Sequence, residues 1–188
     1  MLYWSWTIAE IIVIISVTNE PSSSPLLSAR VLNALVWKAN PVEAASQINF
    51  NLLFLVGCLL VIAGGMIRLA CYRELGSFFT FELSIRKDHK LITTGPYAYV
   101  RHPSYTGLVF AVFGSCLCYF GPGSWMRECS GLPLEGDMAC VLVTMLATSI
   151  TWALAARTRK EDEMLRRGFH DWDDWAKRVP YRMIPYVF

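Results

Sequence analysis

The chain has 188 residues, 54% of them hydrophobic and 17% charged, with a formal net charge of +2. An ordinary soluble domain carries about 25% charge, and disordered chains hold far less apolar material than this one. A charge of +2 is too small to drive phosphate binding, which excludes a nucleic-acid partner. The first apolar run spans about residues 2–18 and is interrupted only by Glu10. No Lys or Arg precedes it and no small-residue cleavage site follows it, which argues against a cleavable signal peptide. Pro21 to Pro41 reads as a loop on the non-cytoplasmic side. Within it Leu27, Val31 and Leu35 recur at helical spacing, which suits either an amphipathic surface helix or a packed loop.

Three charge-free runs follow: twenty residues over 48–67, twenty-three over 104–126, and nineteen over 138–156. Each is long enough to cross a hydrocarbon core of roughly 30 Å as a helix. Gly57, Gly64 and Gly65 fit close helix packing in lipid. Gly121-Pro122-Gly123 ends the third run in a turn, which places the fold's membrane helices at about 2–18, 48–67, 104–121 and 138–156. The expected architecture is an all-α integral membrane protein of about four transmembrane helices, forming one domain over 1–188.

The basic residues are distributed unevenly. Arg68–Pro103 holds six and the segment from Arg157 onward holds eight, so 14 of 17 fall on one side of a four-helix arrangement. The positive-inside rule makes that side cytoplasmic. The six cysteines show neither CxxC pairing nor metal-ligand spacing, so no metal is expected. All but Cys129 lie in or beside the apolar runs and read as small packing residues.

Chemically capable side chains gather in two cytoplasmic pieces. The first is the loop over about 86–105, which contains His89-Lys90-Leu91-Ile92, Gly95-Pro96-Tyr97 and Arg101-His102-Pro103-Ser104-Tyr105. Pro103 suits the first position of a helix. The free N–H groups of such a first turn favour an anionic group of a ligand. An interfacial belt of Tyr and His is the alternative reading. The second piece is the helix and tail over 157–188. Arg157 and Glu161 are four residues apart and share one helix face. Arg159, Lys160, Asp162 and Glu163 read as solvated neighbours. The aromatic, basic end from Phe169 either closes over a pocket or lies on the membrane.

Together these motifs resemble the isoprenylcysteine carboxyl methyltransferase family in a short, fungal-like form, over roughly residues 48–188. The resemblance rests on the His89–Ile92 and Gly95–Tyr97 elements, Arg101–Gly107, Arg157 with Glu161-Asp162, and the Arg178-Val179-Pro180 and Ile184-Pro185 ending. It departs from the family pattern at Phe169-His170, where Phe-Gly is usual and one residue more is present. It departs also at Asp162, where Glu is usual.

The resemblance implies a multi-pass enzyme of the endoplasmic reticulum membrane with its active site facing the cytosol. It implies S-adenosyl-L-methionine as cofactor and prenylated CaaX proteins as substrates. The cofactor contacts it implies are His89, Lys90, Leu91, Ile92, Tyr97, His102, Pro103, Ser104, Tyr105 and Glu161, with Arg157 in the substrate-binding and catalytic position. A phospholipid N-methyltransferase, a sterol-reductase-like oxidoreductase and an inactive membrane scaffold remain as alternatives.

Overall fold

A computed structural model describes residues 2–18, 25–78, 90–131 and 137–187. Among them every regular element is helical: α1 Leu2–Thr18, α2 Pro25–Leu35, α3 Pro41–Ser46, α4 Leu52–Leu75, α5 Pro103–Phe120, α6 Trp125–Glu128, α7 Asp137–Gly168 and α8 Trp172–Arg178. Two 3₁₀ turns, Gly76–Phe78 and Gly95–Ala98, lie between α4 and α5. Three helical stretches are long and apolar enough to cross a membrane: Leu52–Leu75, Pro103–Cys129 and Val141–Gly168. The first apolar run forms the shorter helix α1, so length and composition support three spans where about four were expected. The large apolar side chains Leu59, Met66, Met145 and Trp152 are exposed along these helices, as lipid-facing surfaces require.

The chain forms two compact units. One comprises Met1–Cys58 with Gly114–Met145, the other Leu59–Phe113 with Leu146–Phe188.

In the first unit Ala9 and Val13 of α1 bury against Leu32, Val36, Ala45, Trp125, Met126 and Cys129. Pro25 opens α2, where its missing N–H costs nothing. Of the two readings open for Leu27, Val31 and Leu35, a helix or a packed loop, the segment forms a helix. Its buried residues are Leu32 and then Val36 just past its end, while Val31 and Leu35 are half-buried. Gly123 takes a φ of 79° that permits the sharp turn before α6. Ser124 then caps α6 by accepting from the Arg127 N–H at 3.3 Å. Glu10, the one charge in α1, accepts the Trp125 backbone N–H at 3.1 Å. Cys58 and Cys118 lie with their sulfurs 3.9 Å apart, where α4 and α5 approach closely.

In the second unit a core forms from Cys71, Tyr97, Trp172, Trp175 and Val179, with Ile67, Leu91, Ile92, Leu165 and Phe169 packed on it. Here α4 and α5 touch backbone to backbone: a Cβ on Gly64 would stand 2.4 Å from the Gly107 carbonyl oxygen. Small residues at such a crossing are what let helices approach in lipid.

Candidate active site

The site lies within the second unit, at the start of α5. The chain reaches it through the Gly95–Ala98 turn. Gly95 adopts a φ of 58°, and a Cβ there would come within 3.0–3.1 Å of the Glu74 carboxylate. Glu74 in turn accepts from the Thr94 hydroxyl. Gly95→Ala is therefore expected to cost about 1–2 kcal/mol from the left-handed backbone alone, measurable as a lowered unfolding midpoint in detergent. Tyr97 is buried in the core. Burial, reinforced by the neighbouring Cys71 thiol, pushes the Tyr97 phenol well above its ordinary value, so it stays protonated at neutral pH.

Beyond the turn, His102 is 5% exposed. Its Nε2 lies 2.9 Å from Asp162 Oδ1, and its Nδ1 lies 3.6 Å from Glu161 Oε2. Asp162 also accepts from Arg101 Nη1 at 3.0 Å and from Arg182 Nε at 2.9 Å. Tyr105 stacks on His102 with centroids 5.8 Å apart, and its hydroxyl donates to Glu161 Oε2 at 2.8 Å. The Arg157 guanidinium stands over the other ring of this set, 5.9 Å from the Tyr105 centroid, within cation–π range. One helical turn of α7 thus brings a cation and a carboxylate to the same tyrosine.

One expectation is corrected here. Asp162, read as a solvated neighbour, is 5% exposed and is met by two guanidinium groups and the His102 imidazole. A buried carboxylate is tolerated only when paired in this way. Arg159, Lys160 and Glu163 are exposed, as expected. The amides before α5 are engaged by the tail. The Arg101 N–H donates to the Tyr181 carbonyl at 3.0 Å and the His102 N–H to the Arg182 carbonyl at 2.7 Å. Tyr105 N–H bonds back to the His102 carbonyl at 3.1 Å. The tail thus takes the two amides just before α5, while in the first turn Tyr105 N–H bonds locally to His102.

That tail is docked at every step. Trp175 Nε1 donates to the Tyr97 carbonyl at 3.3 Å, Arg101 Nη2 to the Pro180 carbonyl at 3.0 Å, and the Thr106 hydroxyl to the Met183 carbonyl at 2.5 Å. Trp172 lies between Arg101 and Arg166, whose guanidinium carbons are 5.6 and 5.9 Å from its ring.

Of the residues singled out in sequence, His102, Tyr105, Arg157 and Glu161 come together. Pro103 is buried beside them, and Ser104 receives Arg68 Nη1 at 3.2 Å through both its carbonyl and its hydroxyl oxygen. Leu91, Ile92 and Tyr97 belong to the adjoining core and Lys90 is exposed. His89 lies outside the described residues. Arg68, Arg101 and Arg182 had no assigned role in the sequence reading. Asp162 carried a signal that was available: it falls on the stripe Ala155, Thr158, Asp162, Leu165 and Phe169, spaced at three and four residues, which is a buried helix face.

Residues 55–124 match the model of the Isoprenylcysteine carboxyl methyltransferase (ICMT) family. The chain is 38% identical over 69 residues to protein-S-isoprenylcysteine O-methyltransferase of Saccharomyces cerevisiae, covering 36% of this chain and 29% of the relative. It is 27% identical over 183 residues to the mouse (Mus musculus) protein-S-isoprenylcysteine O-methyltransferase, covering 89% and 58%. It is 33% identical over 100 residues to the nickel-cobalt-cadmium resistance protein NccN of Alcaligenes xylosoxydans xylosoxydans, covering 52% and 38%. The chain thus spans between 29% and 58% of the length of these relatives. No solved structure matches it. Residues 55–124, which carry the whole segment from Tyr97 to Tyr105, are thus similar to the isoprenylcysteine carboxyl methyltransferase family.

Proposed function

We propose that the protein transfers a methyl group from S-adenosyl-L-methionine to the C-terminal α-carboxylate of a prenylated cysteine in CaaX-processed proteins. The reaction is placed at the cytosolic face of the endoplasmic reticulum membrane. The observation that carries this reading is the pairing of Arg157 and Glu161 on Tyr105, beside His102. A guanidinium suited to a carboxylate stands next to a carboxylate suited to a donor or a cation.

The donor set fits the cofactor. Glu161 Oε2 is engaged by Tyr105, while Oε1 meets no donor among the described residues and the side chain is 27% exposed. Glu161, His102 and Tyr105 would hold polar groups of the cofactor. Leu91, Ile92 and Tyr97 would support its apolar parts, and His89, Lys90, Pro103 and Ser104 complete the set that the family pattern assigns. When bound, the cofactor supplies an electrophilic methyl group on a sulfonium.

The chain's own task is orientation. A C-terminal carboxyl with a pKa of about 3.5 is ionised at neutral pH, so no strong general base is needed to activate it. Arg157 fixes the carboxylate in place, and correct positioning of two reactants is worth up to about 7–11 kcal/mol. The prenyl chain enters from the bilayer, where an apolar chain of that size is concentrated.

Tritiated methyl transfer from S-adenosyl-L-methionine tests the reading, in membranes given a farnesylcysteine analogue and phosphatidylethanolamine as competing acceptors. Label is expected on the prenylcysteine. Label on the amine lipid alone would replace this reading with N-methylation, and label on neither would leave a scaffold. Glu161→Ala is expected to weaken cofactor binding by about 1.5–3 kcal/mol, the worth of a hydrogen bond to a charged group, as read by calorimetry in detergent.

A further inference from the structure

Asp162 is buried, yet it receives more charged partners than any other carboxylate among the described residues. Its position between the α5 start and the tail decides which nitrogen of His102 carries the proton. Asp162 is an acceptor when ionised, and Arg101 and Arg182 hold it ionised, so the 2.9 Å contact requires a hydrogen on Nε2. The other nitrogen, Nδ1, faces Glu161 at 3.6 Å, which is too long for a hydrogen bond. A proton on Nδ1 would draw that carboxylate in.

Charged groups of both signs surround the His102 ring. Asp162 and Glu161 are the carboxylates facing it. Arg101 from the preceding loop, Arg182 from the tail and Arg157 from α7, across the stacked Tyr105, are the cations.

We infer that Asp162 is a positioning residue: it holds His102 as the Nε2–H tautomer, so that a bare Nδ1 and the Glu161 carboxylate form one acceptor edge for a hydrogen-bond donor of the bound cofactor. The cofactor half of this inference rests on the function proposed above; the tautomer half does not. A carboxylate that sets an imidazole's tautomer through one ring nitrogen is a general device in histidine sites. Here its consequence is selectivity for a group that donates, an ammonium or a hydroxyl, over one that only accepts.

The chain has three histidines, so protein labelled with ¹⁵N-histidine gives three sets of ring nitrogens, and His102→Gln identifies the set that belongs to residue 102. In the wild type at neutral pH the His102 set is expected to show a protonated Nε2 and a bare Nδ1. A protonated Nδ1 in the wild type would overturn the inference, whether or not any variant folds. In Asp162→Asn, the side-chain amide can donate to Nε2, and the proton is expected to move to Nδ1 while the S-adenosyl-L-methionine dissociation constant rises about tenfold or more. An Asp162→Asn protein with an unchanged ring spectrum and unchanged cofactor affinity would also overturn it. If the wild type fails to bind S-adenosyl-L-methionine at all, the proposed cofactor is wrong, and the nitrogen spectrum still decides the role of Asp162.

Discussion

Arg157→Ala is expected to lower kcat/KM for a farnesylcysteine analogue by on the order of 10²-fold or more, with the S-adenosyl-L-methionine dissociation constant nearly unchanged. The magnitude follows from orientation: a reacting group displaced by about 1 Å costs roughly 10²-fold. Arg157 is exposed and stands over Tyr105, so its removal takes no buried charge partner away and should leave the fold intact. Arg157→Lys keeps the charge and loses the planar fork that grips two carboxylate oxygens, so an intermediate rate is expected. The check is steady-state methylation beside calorimetric cofactor titration. Near-normal turnover of Arg157→Ala would remove this residue from the substrate site.

The second large effect concerns two adjacent glycines. Gly64→Ala is expected to destabilise the protein by about 2–3 kcal/mol, the upper part of the range for overpacking. Its Cβ would meet the Gly107 carbonyl oxygen at 2.4 Å and the Ala111 nitrogen at 2.9 Å, both backbone atoms that cannot swing aside. Gly107 lies one turn into the helix that begins at Pro103. Pushing α5 away from α4 therefore also displaces His102 and Tyr105, and activity should fall with stability. Gly65→Ala is the internal control. Nothing lies within 4 Å of a Cβ at that position, and alanine is the better helix former by roughly 0.5–1 kcal/mol. The same substitution one residue apart should thus act with opposite sign in thermal unfolding in detergent. Equal effects at the two positions would contradict the backbone-to-backbone packing of these helices.

Much of the site was legible because its residues are close in sequence or share a helix period. His102 and Tyr105 sit three apart across the start of α5, and Arg157 and Glu161 sit four apart on α7. Helical geometry alone puts each pair on one side of its helix. The 3₁₀ turn before them was marked by Gly95-Pro96. Asp162 was misread because charge was taken as a sign of exposure. Its place on the Thr158–Leu165 stripe said otherwise.

What the sequence by itself determined is the set of long apolar helices, the turn that leads into α5, and the local pairs of chemically capable side chains. These depend on hydrophobic length, helical period and glycine geometry, which are properties of neighbouring residues. Only the tertiary structure decided that the tail occupies the Arg101 and His102 amides, and that Arg101, His102 and Arg182 converge on Asp162. Those contacts join residues 20 to about 80 positions apart. They exist because a buried carboxylate and buried amides must find partners wherever the folded chain supplies them, a requirement that carries no periodicity along the sequence.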